Sequence, residues 1–248
     1  MKYFSSLALA AAVAASAFAA APASAITVTY ANFAQSTNAK QFRYFNTGTS
    51  NRLYTTTSAT STDAGGVAVD FKYLVSVPAA LQGFQDAILT LDASSTQMVS
   101  LNGDNASQGG FSGKLSIRRA VPLDGKDNLL TIDFTNGTFF SVLGGSSATY
   151  TISIPGAGTN IKQESDFLMF GNVVEADFSL SFSALSSTFA KNGGGYGRSF
   201  RANATGTFAS NPAPTGVPEP EMWGLMILGF GMVGVAVRRR RSVTRVAA

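Results

Sequence analysis

Residues 174–184 read VEADFSLSFSA. Val174, Ala176, Phe178, Leu180, Phe182 and Ala184 alternate with Glu175, Asp177, Ser179, Ser181 and Ser183. A pleated strand sends successive side chains to opposite faces, so this stretch predicts a strand with one apolar face and one wet face. The same period returns at Val67, Val69, Phe71, Tyr73, Val75 and Val77, at Leu130, Ile132 and Phe134, and at Tyr150, Ile152 and Ile154. Shorter strands are expected near residues 27–33, 41–46, 87–91, 114–118 and 199–208. No part of this body sustains a 3.6-residue period.

Turn-forming clusters separate the strands: Asp63 to Gly66, Asn102 to Asn105, Asp124 to Asp127, and Gly193 to Gly195. Gly, Asn and Asp accept the positive φ that tight turns require. Asn136-Gly137, set between LLTIDFT and TFFSV, carries the signature of a two-residue hairpin. The expected fold class is all-β, an antiparallel β-sandwich over residues 26–208, with a jelly roll as one version the pattern does not separate. Residues 209–217, ASNPAPTGV, lose the alternation and read as a flexible linker.

Charge and composition exclude several functions. The chain has 248 residues, 18 basic, 14 acidic, no Cys and no His. Setting aside Lys2, Arg238 to Arg241, Arg245, Glu219 and Glu221 leaves 12 basic and 12 acidic residues in the body. A neutral body has no basic stripe for phosphates, so no nucleic-acid partner is expected. Without His or Cys there is no Ser-His-Asp triad, thiolate nucleophile or common zinc site. No catalytic residue, metal or cofactor is assigned, and the body is expected not to be an enzyme.

The ends differ from the middle. Met1-Lys2, an Ala-rich apolar run and the small-x-small site Ala23-Ser24-Ala25 make a secretory signal peptide over residues 1–25, cleaved before Ile26. Such a peptide implies the Sec translocation machinery as a partner. Near the other end, Gly229-Phe230-Gly231-Met232-Val233-Gly234 has the spacing of a dinucleotide loop. That loop needs a preceding strand, a following helix and an acidic ribose ligand about 20 residues on. Only 14 residues follow Gly234, none acidic, so the nucleotide reading fails.

Residues 222–237 are instead 16 uncharged residues, a helix of about 24 Å if fully formed. Trp223 suits one membrane interface, and Arg238, Arg239, Arg240 and Arg241 suit the cytoplasmic side. One transmembrane helix, with a cytoplasmic tail over residues 242–248, is therefore expected.

Pro218, Glu219, Pro220, Trp223, the Gly-Phe-Gly core and the arginine run together resemble the PEP-CTERM sorting signal in its PEPxxWA-type form, over residues 218–241. Gly224 stands where that form carries Ala. The resemblance implies recognition by an exosortase-type membrane transpeptidase, cleavage near Pro218-Glu219-Pro220, and export linked to exopolysaccharide or biofilm in Gram-negative bacteria. The chain would cross the inner membrane, be held there by its helix, then reach the surface or matrix.

For the body, three readings follow: a structural matrix component, a carbohydrate-binding module with or without calcium, and a polysaccharide-active or ice-binding protein. Asn102, Asp104 and Asn105, and Asp124, Asp127 and Asn128, offer oxygen ligands, although turns use the same residues. Glu164, Asp166, Glu175 and Asp177 are the candidate acid–base carboxylates, with a solvated sheet face as the simpler account. Phe42, Tyr44, Phe45, Tyr196 and Phe200 could stack on sugars or fill the core. Thr55 to Thr62 is an irregular threonine patch, and no T-x-T ladder repeats along the chain. Asn105, Asn136 and Asn203 begin sequons.

Overall fold

Period-two alternation becomes hydrogen-bonded ladder in a computed structural model that describes residues 27–154 and 158–216. The signal peptide, the sorting residues Pro218, Glu219, Pro220 and Trp223, the membrane helix and the arginine run lie outside the described residues. The strands are β1 (Val28–Gln35), β2 (Phe42–Asn46), β3 (Asn51–Thr55), β4 (Val67–Tyr73), β5 (Phe84–Ser95), β6 (Ser100–Asn102) and β7 (Asn105–Leu123). There follow β8 (Lys126–Val142), β9 (Ala148–Ile154), β10 (Asn160–Glu164), β11 (Leu168–Met169), β12 (Glu175–Ser183), β13 (Phe200–Asn211) and β14 (Thr215–Gly216). Among the described residues the only helical element is a single turn of 3₁₀ helix, Ala79–Leu81.

All strand pairings among these residues are antiparallel, in agreement with the expected class. Two walls face each other across one core, as in a sandwich, but ladders also join the walls along both sides. The circuit runs β13, β1, β4, β5, β7, β8, β9, β12 and back to β13. Between β13 and β5 the hairpin β2–β3 takes the place of β1–β4 at the other end of the wall. The body is thus a flattened closed barrel of largely sequential neighbours, rather than a jelly roll. Closure removes the unpaired strand edges that an open sandwich must protect.

The predicted hairpin at Asn136-Gly137 does not form. β8 runs straight through, and β10 occupies the ladder position that a returning strand would have filled, pairing Ile161 with Phe134 and Gln163 with Ile132. Asn136 (φ 60°) sits instead in a bulge, and β7 carries a compensating extra residue near Gly109-Gly110. Gly137 is required by a close approach, since a Cβ there would strike the Tyr150 hydroxyl and Ile152. The true β7–β8 turn is Asp124-Gly125, where φ values of 51° and 77° at both central residues give a type I′ geometry.

Side chains pack the interior with aromatic rings. Phe178 stacks on Phe208 at 5.2 Å between centroids, and Tyr44 on Phe200 at 5.0 Å. Phe178, Leu180 and Phe182 are buried as the opening stretch predicts, but Val174 precedes β12 and is exposed. Val67, Val69, Phe71, Tyr73, Leu130, Ile132 and Phe134 also face inward. Each fully buried Phe or Leu contributes about 1.5–3 kcal/mol by leaving water. One polar knot crosses this core. The Tyr44 hydroxyl donates to Gln108 Oε1, Gln108 Nε2 donates to Asn51 Oδ1 at 3.2 Å, and Asn51 Nδ2 donates to the Gly197 carbonyl at 3.0 Å.

The linker boundary is corrected. Ala209, Ser210 and Asn211 belong to β13, where Ala209 and Ser210 pair with β1 and all three pair with β12. Ser210 is fully buried and donates to the Pro212 carbonyl at 3.0 Å. Thr215–Gly216 then pairs with Leu168–Met169. Small residues and proline carry no hydrophobic period, so they read as linker, yet their size suits a place where strands crowd.

Candidate functional site

Chain entry and exit share one end of the barrel. Val28 pairs with Ser210, Glu175 with Asn211, and Ile154 with Ala176, all near the point where Gly216 leaves the fold. This end is the base. The apex, formed by residues 96–99, 103–104, 143–147 and 184–199, lies at the other ends of the same strands. Among the described residues no helix is long and apolar enough to cross a membrane.

The candidate acid–base carboxylates are held by other partners or spread along a wet face, the simpler of the two accounts. Glu164 pairs with Lys162 at 2.6 Å, and that hydrogen bond holds its carboxyl below the usual range. Asp166 Oδ2 accepts the backbone N–H groups of Asp127 and Asn128 at 3.1 and 2.9 Å. Glu175 and Asp177 alternate with buried Ala176 and Phe178 on the outward face of β12. The two candidate calcium loops are hairpin turns. Asp127 is paired with Arg118 at 2.9 Å, and Asn128 Oδ1 accepts the Thr131 hydroxyl at 2.8 Å. Asn102 and Asn105 face each other across the β6–β7 turn. Among the described residues no group of three His, Cys, Asp or Glu side chains converges to hold a metal.

Of the candidate sugar-stacking residues, Phe42, Tyr44 and Phe200 are core. Phe45 lies under the Arg43 guanidinium at 4.5 Å, and the Tyr196 hydroxyl donates to the Thr96 carbonyl at 3.3 Å. Thr55 and Thr56 are buried, and the Thr55 hydroxyl donates to the Gly65 carbonyl at 2.7 Å. Of the sequon residues, Asn105 is exposed, Asn136 sits in the β8 bulge, and Asn203 Oδ1 accepts the Lys40 N–H.

Two unlike walls result from the closure. Arg52–Asp92, Lys114–Asp133, Arg118–Asp127 and Lys162–Glu164 all lie on the wall of β3, β5, β10 and the parts of β7 and β8 on the base side of their bulges. On the opposite wall, one outward row runs Asn32, Thr207, Ser179, Thr151 and Thr138 across five strands. The next runs Ala34, Thr205, Ser181, Thr149, Phe140 and Ser107. Neither row holds a charge. The hydroxyls of Thr138, Thr149, Thr151, Ser179, Ser181, Thr205 and Thr207 make no hydrogen bond within the described residues. Phe140 is 45 % exposed and lines a depression of about 350 Å³ with Asn105, Val142, Ser147 and Thr149.

Sequence reasoning missed this row. Its T-x-T pairs, Thr149 with Thr151 and Thr205 with Thr207, lie far apart in the chain and flank β12 only after folding. The usable signal for Phe140 was the alternation through Thr138 to Val142, which places Phe139 inward and Phe140 outward.

The sorting segment begins where the base ends. Residues 216–241 match the family model described as the PEP-CTERM protein-sorting motif. The chain carries that signal, which marks an exported, surface-directed protein processed by an exosortase, a membrane enzyme. Comparison of the chain with curated proteins and with solved structures returned no match.

Proposed function

We propose that the body is a non-enzymatic structural component of the cell surface or extracellular matrix, made in the Sec pathway and released into place by cleavage near Pro218-Glu219-Pro220. The carrying observation is that a barrel filled by its own aromatic rings abuts a sorting motif at Gly216. Such a body resists unfolding after delivery, and four ion pairs, Arg52–Asp92, Lys114–Asp133, Arg118–Asp127 and Lys162–Glu164, lie at its surface. The helix over residues 222–237 holds the precursor in the inner membrane until cleavage, and Arg238 to Arg241 keep its end cytoplasmic.

Mass spectrometry of both termini in the native host tests this. The delivered protein should start at Ile26 and lack everything from about Pro218 onward. Replacing Glu219 should trap the precursor in the inner membrane. Replacing Arg238 to Arg241 with Ser should instead let unprocessed chain leak or be degraded. Full-length protein outside the cell, with Trp223 intact, would sink sorting by cleavage.

One observation favours a carbohydrate-binding role beside the structural one. Phe140, flanked across both neighbouring strands by Thr149 and Ser107, offers an apolar ring amid uncharged hydroxyls. A neutral glycan such as an exopolysaccharide presents the same mixture of C–H faces and hydroxyls. Retention of the full chain on cellulose or cross-linked dextran beads should then weaken about threefold to tenfold in Phe140→Ala. Retention on charged alginate beads alone would argue against it.

A further inference from the structure

The residues exposed at the base are not those of an ordinary soluble surface. Phe84, Val121 and Val174 are 70 %, 71 % and 67 % exposed, and Leu74, Met169 and Val28 are 46 %, 48 % and 44 % exposed. Each belongs to the end where the chain enters and leaves. Val28 opens β1 opposite Ser210, Leu74 follows β4, and Phe84 opens β5 opposite Lys72. Val121 lies beside the β7–β8 turn, Met169 pairs with Thr215, and Val174 donates its N–H to the Asn211 carbonyl. Six of the eleven exposed large apolar side chains among the described residues, including the three most exposed, thus surround the tether, whereas Met98, Leu101 and Val142 lie toward the apex.

We infer that the base of the barrel rests on the lipid bilayer surface while the sorting segment is in place. The length of chain beyond the fold supports this choice of occupant. Only residues 217–221 separate Gly216 from the apolar run at Met222, and five residues span at most about 18 Å. A body of this size is roughly 40 Å across, so the tether is shorter than the body is wide. The headgroup layer takes up several ångströms of that length. The end bearing Gly216 is therefore held against the membrane, and it is the end that carries the apolar ring.

The neighbouring polar groups suit a headgroup layer. Lys72 lies over the Phe84 ring at 5.4 Å, an arrangement in which the ring enters the interface and the ammonium meets phosphate. Asp124 at the hairpin tip can accept a headgroup ammonium. The base also orients the molecule: the charged and hydroxyl walls stand upright, and the apex points away from the membrane.

The inference rests on insertion of residues 222–237, and the test separates the two. The chain contains no cysteine, so single cysteines at Val121→Cys and Met98→Cys can each carry one environment-sensitive dye. The full chain is placed in vesicles of phosphatidylethanolamine and phosphatidylglycerol containing a lipid with a headgroup-level nitroxide. The dye at position 121 should be quenched about threefold more than the dye at position 98. Phe84→Ser combined with Leu74→Ser should reduce that difference without releasing the chain. Equal quenching at both positions would overturn a base-down orientation. No quenching at either, in chain that resists alkaline extraction, would overturn bilayer contact and leave insertion intact. Release on alkaline extraction would remove insertion itself and the inference with it. Shielding at position 121 that requires a co-reconstituted exosortase would assign the base to the enzyme rather than to lipid.

Discussion

Three buried tyrosines show how one hydroxyl can matter or be idle. Tyr73 donates to the Leu129 carbonyl at 2.7 Å inside the core. Tyr150 and Tyr30 are fully buried, yet their hydroxyls have no partner among the described residues. Removing the first hydroxyl leaves a buried carbonyl unsatisfied, whereas removing the others relieves a desolvation cost already incurred. Tyr73→Phe should therefore cost about 1–2 kcal/mol, and Tyr150→Phe should fall within about 0.5 kcal/mol of the parent or stabilise it. Chemical denaturation of both variants checks the contrast. Gly137 belongs to the same locality, because its missing Cβ makes room for the Tyr150 ring end. Asn136-Gly137 also shows why this part of the fold was not legible. Positive φ is needed in a hairpin and in a bulge alike, and the residue types do not say which.

At the scale of the element, β12 tests the face assignment most directly. Phe178 and Phe182 are buried among rings from four other strands, including Phe208, Phe134, Tyr150, Phe42 and Phe139. Ser179 and Ser181 lie on the opposite face of the same strand. Asp at position 178 or 182 places an unpartnered charge in the core and should abolish folding, a loss above about 4 kcal/mol. Asp at 179 or 181 should cost less than about 1 kcal/mol. Equal damage from both sets in circular dichroism melts would refute the assignment. The face was legible because alternation is a property of a single strand. Its two ends were not: Val174 falls before the first pairing, and Ala184, at φ 52°, turns the chain away.

Across the whole molecule, tyrosines govern the alkaline limit. Burial pushes the hydroxyls of Tyr30, Tyr44, Tyr73 and Tyr150 above their ordinary value. An unfolded tyrosine ionises near pH 10. A folded-state value raised above that means their contribution is fully present below about pH 10 and is lost as pH rises further. With no histidine, no side chain has an ordinary value between about pH 5 and 8. Stability should be nearly flat through neutrality and then collapse cooperatively. Tyrosinate absorbance from these four residues should appear together with loss of the β circular dichroism signal. Ionisation well before unfolding would contradict their burial.

The sequence alone determined what is local or compositional. Period-two alternation made the body all-β, missing His and Cys removed whole chemistries, and a contiguous proline-flanked Glu219 with its apolar run and arginines made the sorting signal readable without a fold. Only the tertiary structure decided what depends on lateral neighbours. Closure of the two walls, β10 in place of a hairpin return, the fold's extension to Gly216, the uncharged row through Phe140 and the apolar ring at the base all join residues distant in the chain. A strand's own residues set which face is wet, but long-range register sets which other wet residues share that face.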